Sequence, residues 1–496
     1  MKKIISIVLA VLMCAAVLAS CGGGSETGGT TSASSDNASN TASTTTETTT
    51  TAFDPFANME TTDYNGYTFT ILNGCTASWF SRNSMLSDGM SGEPINDAVF
   101  ARNSRVEEEF GVKITEISDN DYVNTVKNAV ASGSKDFDVA TITLMSVYAV
   151  AQSGILKDMK QVENIDFTNP WWDQNAVADM SVGNRLYFCT GAADTTRLDS
   201  IRTLYFNKDL ISELKLENPY RLVDDHKWTI DKYKEMAAAA VNDLNGDGIF
   251  TDADRYGIVS YTDIVGDMLI AACGETYVFK DSDDYLVAMS GNERVYDIYE
   301  KVRSIMNDDH ILFNIRTVDS AYLRGMGDRV QEAMFASGQA LFYSECMAWT
   351  RALRAQEADF GVLPPPMYDE TQDRYYSVII NPFVFSIPNT QNDTELARTG
   401  MILEALNAAS YDTVIPAYID NTLYGKVARD ADTVRMLELV FDQLRYNIHV
   451  SAIATRRGLL DTMAANKTNV SSYFTSINKV NSKTVKKIND DFRALK

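Results

Sequence analysis

Tyr67-Thr68-Phe69-Thr70-Ile71 alternates apolar and polar side chains with the period of two that a half-buried strand requires, and it opens the segment whose order decides the fold. Ile95, Ala98, Val99, Val106 and Phe110 then fall along one face of a helix, and a second strand follows over Val112–Ile117. Asp121 is placed to cap another helix, with Tyr122, Val126, Ala129 and Val130 inward and Gly133 at its end. Phe137–Thr143 reads as a third strand. Strand–helix repetition of this kind gives an α/β layer with a mainly parallel sheet. In such sheets ligands bind beyond the carboxyl ends of strands. Attention therefore falls on Asn73–Phe80, on Leu144–Ser146, and on Gly191–Arg197 after a strand expected at Leu186–Thr190.

Trp228–Ile258, WTIDKYKEMAAAAVNDLNGDGIFTDADRYGI, joins a capped helix to an acidic loop. Thr229 is a good N-cap, and Trp228 has the spacing to pack on Tyr233 as a hydrophobic staple. The loop from Asp243 to Asp254 fits a calcium loop at positions 1, 3, 5 and 6 through Asp243, Asn245, Asp247 and Gly248. Alternate oxygens wrap a hard cation, the glycine permits the sharp turn, and Ile249 offers its carbonyl. Position 12 is Asp254, shorter than the usual Glu, so Asp252 or Thr251 would have to help. The expectation is one structural Ca²⁺ at Asp243, Asn245, Asp247, Ile249 and Asp254. A metal-free loop of Asx turns stays open as the alternative.

Around this loop stand Leu204-Tyr205-Phe206-Asn207-Lys208-Asp209-Leu210, Leu216-Glu217-Asn218-Pro219, Trp228-Thr229 and Tyr256-Gly257. Together they resemble the family-1 extracellular solute-binding lipoproteins of ABC importers, the group that contains the maltose-binding proteins. Glu93–Asn103 with Val106-Glu107 resembles a subgroup of them, in what is read as a structural role. Gly338–Phe342 resembles a family strand that precedes a ligand-facing loop, which here would be Tyr343–Trp349, and Asp359–Pro366 resembles the return toward the first lobe. The resemblance implies an α/β, two-lobe periplasmic-binding-protein-like fold of type II, with candidate crossings at Ser200–Asn207 and Gly361–Pro366. It also implies a non-enzymatic protein that captures a carbohydrate or oligosaccharide between its lobes and delivers it to an importer permease.

Met1-Lys2-Lys3 followed by the apolar run Ile4–Leu18 is a secretory leader too short to span a bilayer, and Leu18-Ala19-Ser20-Cys21 looks like a lipobox. By that resemblance Cys21 is lipidated, and the mature chain sits on the outer face of a bacterial cell membrane by its lipid anchor only. Gly22–Ala52, rich in Gly, Ser and Thr, is a flexible tether with a reach of roughly 30 Å. The expected organisation is 1–20 leader, 21–60 lipidated cysteine and tether, 61–202 lobe 1, 203–360 lobe 2, 361–420 return to lobe 1, and 421–496 a C-terminal helical segment. A formal charge of −23 over 496 residues argues against nucleic acid and against adsorption to anionic lipid. Cys75, Cys189, Cys273 and Cys346 lack any metal or disulfide spacing and read as isolated core thiols. Three histidines make a zinc enzyme improbable on composition.

Sugar recognition needs flat apolar faces and planar polar groups. Trp79, Trp172 and Trp349 fall in expected loops, near Asp194, Arg197, Tyr343 and Glu345. A packing role is favoured for Trp171, because adjacent loop aromatics seldom both face a ligand. Asp194 and Arg197 could equally pair with each other at the hinge. A secreted glycoside hydrolase, a surface adhesin, or the same fold with a peptide solute remain the rival readings. No GxSxG, HExxH or Walker sequence favours an enzyme.

Overall fold

The computed structural model describes residues 53–76, 80, 82, 84–315, 330–354, 359–421, 430–446 and 469–495. Cys21, the tether and Trp79 lie outside these residues.

In lobe 1, β1 (Tyr67–Asn73), β2 (Val112–Ser118), β3 (Val139–Thr143) and β12 (Phe383–Ser386) form a sheet in the order β12-β3-β1-β2. β1 is parallel to both β2 and β3, while β12 runs antiparallel to β3. The helix Pro94–Phe110 packs on this sheet at β2, with its Ile95, Val99, Val106 and Phe110 buried, whereas Ala98 is only half-buried. Glu93 caps this helix through Ile95 N and Asn96 N. Asp121 stands at the next N-cap, but its side chain accepts no backbone N–H of its helix; Asp119 ties that turn instead, accepting from Asp121 N at 2.7 Å and Thr125 Oγ1 at 2.5 Å. Gly133 ends that helix at φ +72°, a left-handed conformation that glycine adopts without strain.

Lobe 2 is built on a five-stranded sheet in the order β10-β4-β9-β5-β8, from β4 (Arg202–Asn207), β5 (Tyr256–Ser260), β8 (Leu312–Asn314), β9 (Ala340–Cys346) and β10 (Phe360–Leu363). β5 is parallel to β8 and β9, and β4 is antiparallel to β9 and β10. The helix Ile230–Ala240 covers it as its sequence dictates. Thr229 Oγ1 accepts from Lys232 N, and the Trp228 and Tyr233 rings meet at 5.9 Å in an edge contact. Trp228 is fully buried and donates from Nε1 to Pro364 O at 3.0 Å. A small hairpin of β6 (Val278–Lys280) and β7 (Leu286–Ala288) stands beside the sheet.

The outward crossing runs through Ser200 and Ile201 into β4. Gly361–Pro366, expected to be the return, instead enters the lobe 2 sheet as β10, because Phe360–Leu363 pairs with Leu204–Asn207. The chain returns later, through β11 (Ser377–Ile379) to β12. The two crossings lie side by side, with Ile201 bridged to Ile379 and Ile380 N donating to Ser200 O at 3.1 Å. β11 also pairs in parallel with β13 (Leu444–Tyr446), so three chain passages meet at the junction. Leu186–Thr190 is buried but is not a strand; its contact with the sheet is the single bridge Cys189–Phe385.

The C-terminal segment ties both lobes together. The helix Val470–Ala494 sets Phe474 against Tyr296 and Tyr299 of lobe 2, and Phe492 against Tyr148 and Tyr187 on the lobe 1 side. Among the described residues no helix is long and apolar enough to cross a membrane.

Candidate functional site

The carboxyl ends of β1 and β3 and the start of β12 enclose a small cavity of about 20 Å³ lined by Asn73, Thr141, Asp194, Thr196 and Phe383 among others, room for about one water. Asn73 Oδ1 accepts from Cys75 N and Thr141 Oγ1, both at 2.9 Å. Asp194 accepts from Thr196 N at 2.9 Å and Thr196 Oγ1 at 2.7 Å. Asp194 thus lies at the strand edge where a ligand group was expected, but it is buried and bound within its own turn. Burial pushes its carboxyl up to about 6, against the opposing pull of the Thr196 hydrogen bonds. A raised carboxyl stabilises the fold most below its ordinary value of 3.8 and loses that contribution as pH rises through about 6. Asp194→Asn should therefore raise the melting temperature more at pH 8 than at pH 4, and an equal change at both would contradict this.

Arg197 does not pair with Asp194. Its Nη1 donates to Asp173 Oδ2 at 3.1 Å and its Nε to Gly191 O at 3.0 Å, both within buried surroundings. It is a brace of the crossing, not an exposed ligand group.

Two further expectations, Trp172 and Tyr343, are corrected by burial. Trp172 is 1% exposed, packs on Phe167 with ring centres 4.8 Å apart, and donates from Nε1 to Glu404 Oε2 at 2.7 Å, so no face is free to stack on a sugar. Trp171 shares that carboxylate through Oε1 at 2.8 Å, a packing role. Tyr343 is fully buried, stacks on Tyr205 at 5.6 Å and donates to Glu332 Oε1 at 2.7 Å. The cause is common to Tyr343 and Glu345: Tyr343–Cys346, expected in a loop, is the second half of β9.

Glu345 nevertheless stands where the lobes meet. Its Oε1 accepts from Arg202 Nη1 at 2.6 Å and from Cys346 N at 2.9 Å. Trp349 is half-buried in the turn Met347–Trp349 that follows β9, and this turn packs against Thr196–Asp199 of lobe 1. Here two lobes, a guanidinium, several carboxylates and an aromatic come together. Asp263 and Asp267, on the helix Thr262–Ala272 that follows β5, add their fields to that of Glu345 at Arg202. Sequence reading missed Arg202, Thr262 and Asp263. The available signal was Arg202 itself, the one charge in the otherwise uncharged run Ser200–Asn207. At the other end of the same helix, a cavity of about 190 Å³ lies between Asp267, Ala271, Tyr277, Lys280, Asp179 and Tyr446.

The acidic loop is curled by glycine at φ +74° and +77° (Gly246 and Gly248). Asp243 accepts from Gly246 N and Gly248 N at 2.7 Å each, Asn245 from Asp247 N at 2.9 Å, and Asp247 from Ile249 N at 2.7 Å. These turns carry oxygen side chains at alternate positions, as a calcium loop does. Asp254 differs from expectation: it is buried, and its two oxygens accept from Leu244 N at 3.0 Å and Thr251 N at 2.8 Å, tying the loop's ends. Among the described residues no three His, Cys, Asp or Glu side chains form a metal-binding group. The four cysteines are buried and free.

Two α/β lobes joined by adjacent crossings, with polar groups gathered at their seam, define a two-lobed binding-protein architecture. Residues 104–410 match the model of the bacterial extracellular solute-binding protein family, and the chain belongs to that family. Solved structures with the same fold include the GacH receptor of Streptomyces glaucescens, solved unliganded and with acarbose, at 14% identity and a TM-score of 0.52 over 85% of this chain and 99% of that one. The galacto-N-biose/lacto-N-biose-binding protein of a Bifidobacterium longum ABC transporter matches at 13% identity and a TM-score of 0.54 over 86% and 98%. The maltodextrin-binding domain MalE of Bdellovibrio bacteriovorus, bound to maltotriose, matches at 14% identity and a TM-score of 0.52 over 84% and 98%. No match was found among curated protein sequences.

Proposed function

We propose that this protein is the membrane-tethered, non-catalytic binding component of an ABC importer, holding a carbohydrate between its lobes and passing it to a permease. The observation that carries the reading is the seam, where Thr196–Asp199 of one lobe faces Arg202, Glu345 and Met347–Trp349 of the other. The sugar ligands named for the structural neighbours, and membership of an extracellular solute-binding family, support it. Closure on a solute would report occupancy to the permease through an open–closed equilibrium. Cys21 supplies the lipid anchor in this reading. The test is thermal shift of the purified protein against saccharides and peptides, with small-angle scattering to detect compaction. Compaction with peptides alone would remove the carbohydrate assignment, and hydrolysed product released from a glycan would overturn the non-catalytic one.

We also propose one structural Ca²⁺ held by Asp243, Asn245, Asp247 and the Ile249 carbonyl, with Asp254 fastening the loop beneath it. When bound, the ion would neutralise the loop's carboxylates and add stability of the form RT ln(1 + [Ca²⁺]/Kd). EDTA should lower the melting temperature of wild type, and Asp243→Ala with Asp247→Ala should abolish that response. A melting temperature indifferent to EDTA would dispose of the site.

A further inference from the structure

We propose that the cavity at the far end of the helix Thr262–Ala272 is a second ligand site, for a small apolar α-amino acid whose carboxylate is held by Arg445 and whose ammonium is held by Asp179. It does not depend on what the seam binds, because none of Thr196–Asp199, Arg202, Glu345 and Met347–Trp349 except Thr196–Asp199's neighbouring helix approaches it, and none of them lines it.

The walls come from both lobes and from the junction between them. Asp179 stands near the end of the helix Gln174–Met180 in lobe 1, and Ile270 and Ala271 lie in the last turns of the lobe 2 helix. β6 supplies Val278, while the junction strands β11 and β13 supply Val378 and Arg445. The space is about 190 Å³. An apolar cavity of about 150 Å³ admits benzene, so a branched aliphatic amino acid is of the right size. Phe279 and Arg445 are the exposed residues of this lining, which puts the mouth beside them.

Most of the charge around the cavity is engaged elsewhere. Glu275 is paired with Arg294, and Asp267 acts on Arg202. Lys280 Nζ donates to Ser181 Oγ at 2.9 Å, to Asp284 Oδ1 at 2.8 Å and to Ala178 O, which uses all three of its protons. Arg445 and Asp179 are left. The Arg445 guanidinium lies 4.3 Å from the centre of the Tyr376 ring and makes no hydrogen bond or ion pair among the described residues. Asp179 Oδ2 accepts from Tyr446 N at 3.0 Å, and Oδ1 has no hydrogen-bond partner among the described residues.

These two opposite charges share a cavity without touching. Burial raises the Asp179 carboxyl, against the pull of the Tyr446 N–H, Lys280 and Arg445, so Arg445 is near enough to act on it though no ion pair joins them. A zwitterion completes such an arrangement, since it carries one charge of each sign a short distance apart. Its carboxylate accepts from the planar donors of Arg445, and its ammonium donates to Asp179 Oδ1. The aliphatic wall of Ile270, Ala271, Val278 and Val378 then sets the side chain. An apolar group gains by leaving water there, whereas a charged one would lose its hydration without a partner.

L-leucine is the probe, read by calorimetry and thermal shift on the purified protein. It should bind at a single site. Removing its ammonium (4-methylpentanoate) or its carboxylate (3-methylbutylamine) should each weaken binding about tenfold or more, the scale of a hydrogen bond to a charged group. Arg445→Gln and Asp179→Asn should each weaken leucine by a similar factor. Arg445 is exposed, so its replacement should leave the unliganded melting temperature at the wild-type value. Trp349→Ala, which alters the seam, should bind leucine as wild type does. Neither heat nor a thermal shift with leucine, equal affinity for 4-methylpentanoate, or leucine affinity within twofold of wild type in Arg445→Gln would each overturn the site. Leucine binding lost in Trp349→Ala but kept in Arg445→Gln would place the amino acid at the seam and overturn it as well.

Discussion

Asp173→Ala should destabilise the protein by about 3–5 kcal/mol, the scale of breaking a buried ion pair from one side. Asp173 Oδ2 accepts from Arg197 Nη1 at 3.1 Å and from Tyr446 Oη at 2.9 Å. Its Oδ1 caps the helix Gln174–Met180 through Asn175 N at 3.0 Å and Ala176 N at 3.1 Å. One carboxylate thus joins a lobe 1 helix, the outward crossing and β13. Alanine leaves the Arg197 guanidinium buried with the Gly191 carbonyl as its one acceptor among the described residues, and removes a cap worth about 1 kcal/mol. Asp173→Asn keeps an acceptor and should fall between the two, since it removes charge but not shape. Urea unfolding measures the loss. A midpoint for Asp173→Ala equal to wild type would show that Arg197 finds another partner.

What the sequence revealed and what it concealed have separate physical causes. β1 was legible through its apolar–polar alternation, and β3, whose first four residues are all buried, as a short run following the helix end at Gly133. The capped helix Ile230–Ala240 was legible because Trp228, Thr229 and Tyr233 act within six residues of one another. Leu186–Thr190 misled because an apolar run records burial, and burial here comes from packing without ladder pairing. Tyr343–Cys346 misled in the opposite sense: Ser344 and Glu345 look like loop residues until Arg202, on the neighbouring strand, neutralises Glu345. Trp172 failed as a ligand candidate for a third reason. What fixes Trp172 is Glu404, 232 residues away, and no local pattern carries that contact.

Glu404→Gln should cost about 2–3 kcal/mol, because the two carboxylate oxygens of Glu404 serve four N–H donors, the fourth being Asp166 N at 3.4 Å from Oε2. Trp171 Nε1 approaches Oε1 at 2.8 Å, Trp172 Nε1 approaches Oε2 at 2.7 Å, and Asn169 Nδ2 reaches Oε1 at 2.8 Å. Glutamine presents one oxygen and one amide, so one indole N–H would face another donor in a buried setting. Tryptophan emission should shift to the red with the loss of stability. Burial holds the Glu404 carboxyl above its ordinary value of 4.5, outweighing the hydrogen bonds that lower it. A raised folded value means that the group's contribution is greatest in acid and declines as pH rises through that value. Glutamine does not titrate, so its deficit against wild type should be largest near pH 4 and should shrink toward neutrality. A deficit that instead grew with pH would show that the ionised carboxylate, held by the two indoles, is favoured in the fold over the free one, and that hydrogen bonding wins over desolvation at this position.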